Sequence, residues 1–368
     1  MASRLLARLD AAIATTRQPI ELACLRAERA AFLARQGRLD DARRTLADLH
    51  ARFALRPHPA VSAWTALAEG ICDYFESMAP HARDRLQRAH VLSRAAELAP
   101  LRVLAAAWLA HLELMASDMT PMAAHLVEAL RDAAPDHHAA RWRACLVAAS
   151  AYHYAGRADR ARPWYDLARQ HAVADGDEAA LSSLMFNRAT LQASQARIAA
   201  VFGCADAADA AALAHEALLG VESTASFEHG IGGASLPSMV PVVRAQLLVD
   251  EGRCAEALAL YEQWFERAMA DGQARLRAYF LADIAWCRLQ LGREAAARAD
   301  LAQSLQAVAG CETDDRAVAA ARIAQVLAAL GDDAQATVWR GRAERDLAAH
   351  RAEQQRLAAL LDDALAAS

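Results

Sequence analysis

Apolar residues recur along this chain at steps of three and four. In LLVDEGRCAEALALYEQWFERAMADG, Leu247 to Gly272, they fall at Ala257, Leu260, Tyr261, Trp264, Phe265 and Ala268, which places one apolar stripe along a single helix face. A helix before it ends at Gly252, a residue free to take the left-handed conformation that stops a helix, and the chain turns within a few residues into the next. The unit is a helical hairpin. One hairpin cannot cover its own apolar face, so neighbours of the same kind must stack on both sides.

The stopping position recurs at Gly37 in ARQGRLDDAR, Gly156 in HYAGRADRAR, Gly252 in DEGRCAEAL, Gly292 in QLGREAAAR and Gly331 in ALGDDAQAT. In each an Ala follows five residues later, at Ala42, Ala161, Ala257, Ala297 and Ala336, and weaker copies fit at Ser77 with Ala82 and Asp118 with Ala123. The steps are roughly forty residues, longer than the minimal helical-hairpin repeat. A large apolar residue comes four after the Ala at Leu46, Tyr165, Tyr261 and Leu301, and small residues (Ala30, Ala149, Ala245, Ala285, Ala324) stand where the first helix crosses the second. These features resemble the tetratricopeptide repeat family. The resemblance implies an all-α fold, an α-solenoid of stacked antiparallel helical hairpins coiled as a right-handed superhelix, with a concave face that binds peptides or proteins. The Trp-Leu-Gly start is absent, closing prolines are few and the period is stretched. A HEAT-like stack would need Pro placed regularly inside first helices, and none is.

Residues 1–218 therefore read as N-terminal hairpins and 242–331 as C-terminal ones, with 332–368 as capping helix. The phase blurs between 177 and 220, with a break near Ser194. Residues 219–241, Leu219 to Pro241, are the one stretch dense in Gly, Ser, Thr and Pro, and read as a loop inserted in the array, either a functional lid or a tolerated connector. The apolar face of the last stretch (Leu347, Leu357, Leu360, Leu361, Ala364, Leu365) either shields the final hairpin or pairs with a second copy as a homodimer.

Composition supports helices throughout: hydrophobic residues make up 55% of 368, with only 15 Gly and 10 Pro, too few for the turns of an all-β fold. The net charge of -5, without long blocks of one sign, leaves no footprint for nucleic acid or an anionic membrane. All 40 basic residues are Arg, which excludes a Schiff-base lysine, a phosphate-loop lysine and a lysine base. The 7 Cys (Cys24, Cys72, Cys145, Cys204, Cys254, Cys287, Cys311) are dispersed and never form a Cys-x-x-Cys pair, as expected of small buried hydrophobes in a reducing compartment. The start, MASRLLARLDAAIATT, reads as an amphipathic helix and no run suits a bilayer, so a cytoplasmic, bacterial-type protein is expected.

The motifs that would carry chemistry are each incomplete. His215-Glu216 lacks the second His of a zincin helix, and the pairs Asp40-Asp41, Asp314-Asp315, Asp332-Asp333 and Asp362-Asp363 lack the third acid of a magnesium cluster. Gly230, Gly232 and Gly233 have no following Lys, and no Gly-x-Ser-x-Gly elbow is present. His137-His138 suits a helix cap better than half a metal site. A non-enzyme with no cofactor and no metal is expected.

What remains is the groove. In the tetratricopeptide family it is lined by first-helix residues about two, three, six, ten and thirteen positions before the turn. Carried onto this chain these give Trp64, Ile71 and Tyr74; Trp108 and Met115; Arg143, His153 and Tyr154; Arg188 and Gln192, if Ser194 marks a turn; Gln246 and Asp250; and Tyr279, Trp286 and Gln290. Asn187 stands beside Arg188, and Arg143, Asn187 and Arg188 are expected to form an anion-tolerant patch. Any of the aromatics, Trp108 and Trp286 above all, has core packing as its alternative role. The leading expectation is an adaptor or regulatory module holding a peptide or protein segment in the groove. The alternative is a sensor of a small ligand or signal peptide, like the helical-repeat sensor parts of bacterial regulators, acting through a partner chain.

Overall fold

The computed structural model of the protein describes residues 3–203, 207–232 and 236–366. Within them the chain is all helical. The first helix, α1 (Arg4–Thr15), precedes the hairpins α2 (Pro19–Arg35) with α3 (Leu39–Phe53), α4 (Pro59–Ser77) with α5 (His81–Ala95), α6 (Ala99–Met115) with α7 (Met119–Asp132) and α8 (His138–Tyr154) with α9 (Ala158–Asp175). There follow α10 (Glu178–Phe202) with α11 (Ala207–Ile231), α12 (Met239–Asp250) with α13 (Cys254–Ala270), α14 (Arg277–Gln290) with α15 (Glu294–Ala307), and α16 (Thr313–Ala329) with α17 (Asp333–Ala366). First helices pack on their own second helices, as α4 does on α5 and α8 on α9, and on the next first helix, as α2 does on α4, α6 on α8 and α14 on α16. This is an α-solenoid.

The turns lie where the glycines predict: Gly37, Gly156, Gly252, Gly292 and Gly331 all have φ between 72° and 82°. Met78 (50°) and Ser117 (56°) occupy the same left-handed region with side chains, which explains why those copies of the pattern are weak in the sequence.

The contacts divide the chain into two compact units, residues 1–184 with 227–236 and 356–368, and residues 185–226 with 237–355. In the first, the core runs from Leu33, Leu67 and Leu109 on the first helices to Leu46 and Leu86 on the second, and on through Trp142, Val147 and Tyr165. In the second, Leu248, Tyr261, Phe280, Leu301 and Ile323 form the corresponding core.

Three expectations are corrected. No break occurs at Ser194, because α10 is continuous from Glu178 to Phe202 and the chain leaves the helix at Gly203, φ 62°. The expected loop 219–241 is mostly helix: α11 runs to Ile231 and α12 begins at Met239, while 233–235 lie outside the described residues. The helix-breaking residues are accommodated by packing. Gly220 lets α11 approach Ala189 on α10 so closely that an added Cβ would sit 3.3 Å from the Ala189 methyl, and Thr224 Oγ1 bonds back to the Gly220 carbonyl at 2.8 Å. Last, α17 does more than cover the final hairpin. Ala336 and Ala343 pack near α16, but Leu357 and Leu361 belong to the first unit, buried with Trp142 and Tyr152, where Tyr152 Oη donates to Asp362 at 2.9 Å. The apolar face offered to a homodimer is occupied within one chain.

Cys24 is half-buried and Cys72, Cys145, Cys254, Cys287 and Cys311 are buried and free, while Cys204 lies outside the described residues. Burial pushes the Cys72 and Cys145 thiols up to about 12, which leaves them inert at neutral pH.

One close approach gives a direct test of the hairpin packing. A Cβ on Gly70 of α4 would lie 2.8 Å from Leu86 Cγ and 3.1 Å from the Ala82 carbonyl oxygen of α5. Alanine is the better helix former by about 1 kcal/mol. Overpacking outweighs that gain, so Gly70→Ala is expected to lower the stability of the chain by about 1–2 kcal/mol in urea denaturation.

Candidate functional site

The inner faces of the first helices in the first unit line a cleft of about 380 Å³. Its wall is a helical-spacing pattern read across neighbours: Glu28, Ala31, Phe32 and Arg35 from α2, Trp64, Leu67 and Ile71 from α4, Leu104 and Trp108 from α6, and His138, Ala139 and Trp142 from α8. The α1 side chains Leu5, Arg8 and Leu9 bound it on another side, with Asp175 and Asp177 from the α9–α10 turn. The first helix is pinned there by Leu5 N–H donating to the Gly176 carbonyl at 3.2 Å and Arg4 Nη2 to the Val173 carbonyl at 3.1 Å.

The cations of the wall are paired. Arg8 Nη2 donates to Asp175 Oδ1 at 2.5 Å, and Arg35 Nη2 to Asp177 Oδ2 at 2.7 Å. Asp177 also caps α10, accepting from Ala180 N–H at 2.9 Å. Arg35 stacks over Trp142 at 4.8 Å. Behind that wall Arg143 is clamped between Trp108, 3.8 Å from its guanidinium, and Trp142, 4.1 Å away. It is 1% exposed, and its Nε and Nη2 have no hydrogen-bond partner among the described residues. Burial, then repulsion from Arg35, pushes its pKa well below the ordinary value. Since a guanidinium stays charged in proteins, the ring faces hold the cation where a carboxylate would be expected.

Glu28 is the opposite case. It is half-buried in the cleft wall and has neither a hydrogen-bond nor an ion-pair partner among the described residues. Burial, reinforced by Asp175 and opposed by Arg8, pushes its carboxyl up to about 7 from an ordinary 4.5. A carboxyl raised on folding stabilises the fold fully below about 4.5, and that contribution is lost as the pH rises through about 7. Glu28→Gln is therefore expected to raise stability by about 2 kcal/mol at pH 8 and to change it little at pH 4.5, read as the difference between urea midpoints at the two pH values.

Beside the cleft mouth, His137 Nδ1 accepts from Ala140 N–H at 3.3 Å, capping α8, and His138 Nδ1 lies 3.0 Å from His171 Nδ1. Among the described residues no group of three or more His, Cys, Asp or Glu could hold a metal.

The expected groove residues separate into several environments. Trp64 is half-buried and lines the cleft, whereas Trp108 and Ile71, each 2% exposed, border it from the core, the alternative role given for Trp108. Tyr74 is half-buried, its Oη 3.0 Å from His111 Nε2. Arg143 is sealed behind the wall, one residue past the wall position that Trp142 takes. His153 is buried, with Nδ1 3.0 Å from Tyr165 Oη on its own second helix, and Tyr154 packs on the α8–α9 core. Met115 is exposed. In the second unit Gln192 donates to Glu216 of α11 at 3.1 Å, so it faces its partner helix, while Asn187 is half-buried and Arg188 exposed. Of the expected anion-tolerant patch, Arg143 is enclosed between two rings in the first unit, while Asn187 and Arg188 belong to the second.

Gln246 and Tyr279 are buried, and the Asp250 side chain is 4% exposed, rather than presented on an open wall. Asp250 and Tyr279 serve an ionic network: Arg197 donates twice to Asp283, Nη1 to Oδ2 and Nη2 to Oδ1, each at 2.8 Å. Arg197 Nε stands 3.0 Å from Asp250 Oδ2, near enough for an ion pair but not aligned as a hydrogen bond. Arg322 bridges Asp250 and Asp283, Tyr261 Oη donates to Asp283 at 2.9 Å, and Tyr279 lies 4.6 Å under Arg197. Burial opposes charge on Arg197, and Asp250 and Asp283 outweigh it, so its pKa rises. Trp286 and Gln290 share a separate open depression with the Gly252 turn.

The sequence offsets missed Glu28, Phe32, Arg35 and Trp142. Arg35 and Ala31 were within reach: they lie two and six positions before Gly37, in the register used for the later hairpins. Glu28 and Phe32 carry no such mark, because they face inward on the other edge of the same helix stripe.

The fold matches a solved Rap protein. The structure of a Rap protein complexed with Competence and Sporulation Factor superposes with a TM-score of 0.52 at 11% identity, covering 95% of this chain and 92% of that one. At that identity the likeness establishes the solenoid fold. Neither a protein-family model nor a curated protein sequence matches the chain. No described helix is long and apolar enough to cross a membrane.

Proposed function

We propose that the protein is a non-enzymatic, cytoplasmic tetratricopeptide-like binding module whose cleft in the first unit holds a short segment of a peptide or protein. The observation that carries this reading is the shared inner face of α2, α4, α6 and α8, where the half-buried Trp64 stands among Arg8, Glu28 and Asp136 around a cleft of about 380 Å³, backed by the buried rings of Trp108 and Trp142. Aromatic surface with a few placed polar groups is what tight binding of a segment requires. A protein of like fold was solved in complex with Competence and Sporulation Factor, which supports reading this fold as one that takes up a partner.

The size of the cleft and its bounding by α1 favour a short ligand over a long folded segment, so the sensor reading is the second one: uptake of a small ligand or signal peptide that is passed on to a partner chain. Peptides selected from a random displayed library against the full chain would test the main reading. Their affinity is expected to fall about tenfold or more in Trp64→Ala and to be unchanged in Trp286→Ala. Equal affinity of Trp64→Ala and the parent would count against the cleft.

A further inference from the structure

The polar groups of the cleft do not balance. Arg8 and Arg35 are ion-paired with Asp175 and Asp177, while Glu28 and the exposed Asp136 line the same cleft without a partner of their own among the described residues. The nearby cation that lacks a carboxylate, Arg143, is covered on both faces by indole rings and cannot turn to meet them. An unpaired carboxylate at a partly desolvated wall is costly to keep, and a cation brought by a ligand would relieve that cost. Glu28 lines the cleft with the half-buried Trp64, while Phe32, four residues on along α2 and 3% exposed, backs the wall, so a carboxylate and the Trp64 ring are offered together. That combination suits a cation, which gains from the carboxylate charge and from ring faces.

We propose that the cleft selects a basic peptide, seating one Arg or Lys side chain with its guanidinium or ammonium against the Glu28 carboxylate and its aliphatic stem along Trp64. An acidic or purely apolar segment would leave Glu28 unpaired and is disfavoured. This rests on the cleft reading above and adds the chemistry of the ligand.

The test uses the full chain and peptides selected from a random displayed library. The selected sequences are expected to share an Arg or Lys, and replacing it by citrulline or norleucine is expected to weaken binding about tenfold or more in calorimetry. Glu28→Gln, which keeps the shape of the side chain, is expected to lose affinity by a similar factor and to bind the citrulline or norleucine peptide as well as the parent peptide. Circular dichroism and a melting midpoint no lower than that of the unaltered protein would show that this variant is folded. Peptides that need Trp64 but carry no shared basic residue and ignore Glu28→Gln would overturn the cation site and leave the cleft reading standing. Peptides indifferent to both Trp64→Ala and Glu28→Gln would overturn both.

Discussion

Replacing Asp283 by alanine is expected to destabilise the protein by about 3–5 kcal/mol. The carboxylate is 1% exposed and accepts from Arg197 twice, from Tyr261 and from Arg322. Removing it leaves two guanidinium groups in the interior with Asp250 alone to balance them, and neither can shed its charge. The loss measures the cost of stranding those charges and not the worth of the network, since ion pairs buried as deeply as this add little over apolar packing. A double-mutant cycle separates the two. Arg197→Met combined with Asp283→Ala is expected to cost clearly less than the sum of the single changes, whereas simple additivity in urea denaturation would mean that the groups do not act together.

Trp142→Ala is expected to cost about 3–5 kcal/mol as well, for a different reason. The ring is 1% exposed in the core of the first unit, and it is the surface over which both Arg35 and Arg143 lie. Truncation opens a cavity behind the cleft and leaves Arg143 with Trp108 as its one remaining ring. Arg143→Met provides the contrast. Arg143 has no carboxylate to lose, so an apolar side chain of similar length is expected to change stability by less than about 1 kcal/mol or to raise it. A small effect of Trp142→Ala together with a large one of Arg143→Met would show that the guanidinium, not the ring, holds this wall.

The two sites differ in how far they were legible in the sequence. Hairpin turns were legible because a left-handed backbone selects glycine, and Gly37, Gly156, Gly252, Gly292 and Gly331 all mark one. Where Met78 and Ser117 take that conformation, the signal fades although the turn persists. The stretch around Gly220, Thr224 and Gly230 misled for the opposite reason: its small and hydroxylic residues serve close packing of α11 on α10, and local pattern cannot distinguish that use from a loop. Trp64 and Trp108 were found because the inner face keeps a constant distance from the turn. Arg143 lies in the same register yet is sealed in the packing, one residue and about 100° from the position that Trp142 takes. Which carboxylates would be paired was not legible at all. Asp175 and Asp177 meet cations from α1 and α2, more than a hundred residues away, and Glu28 does not.

The most direct test of the account is a crystal structure of the full chain with a peptide selected against it. The peptide is expected in the cleft of the first unit, in contact with Glu28, Trp64 and Leu104 on the walls given by α2, α4 and α6. A peptide seated elsewhere, in the depression beside Trp286 and Gln290 for instance, with that cleft unchanged, would contradict it.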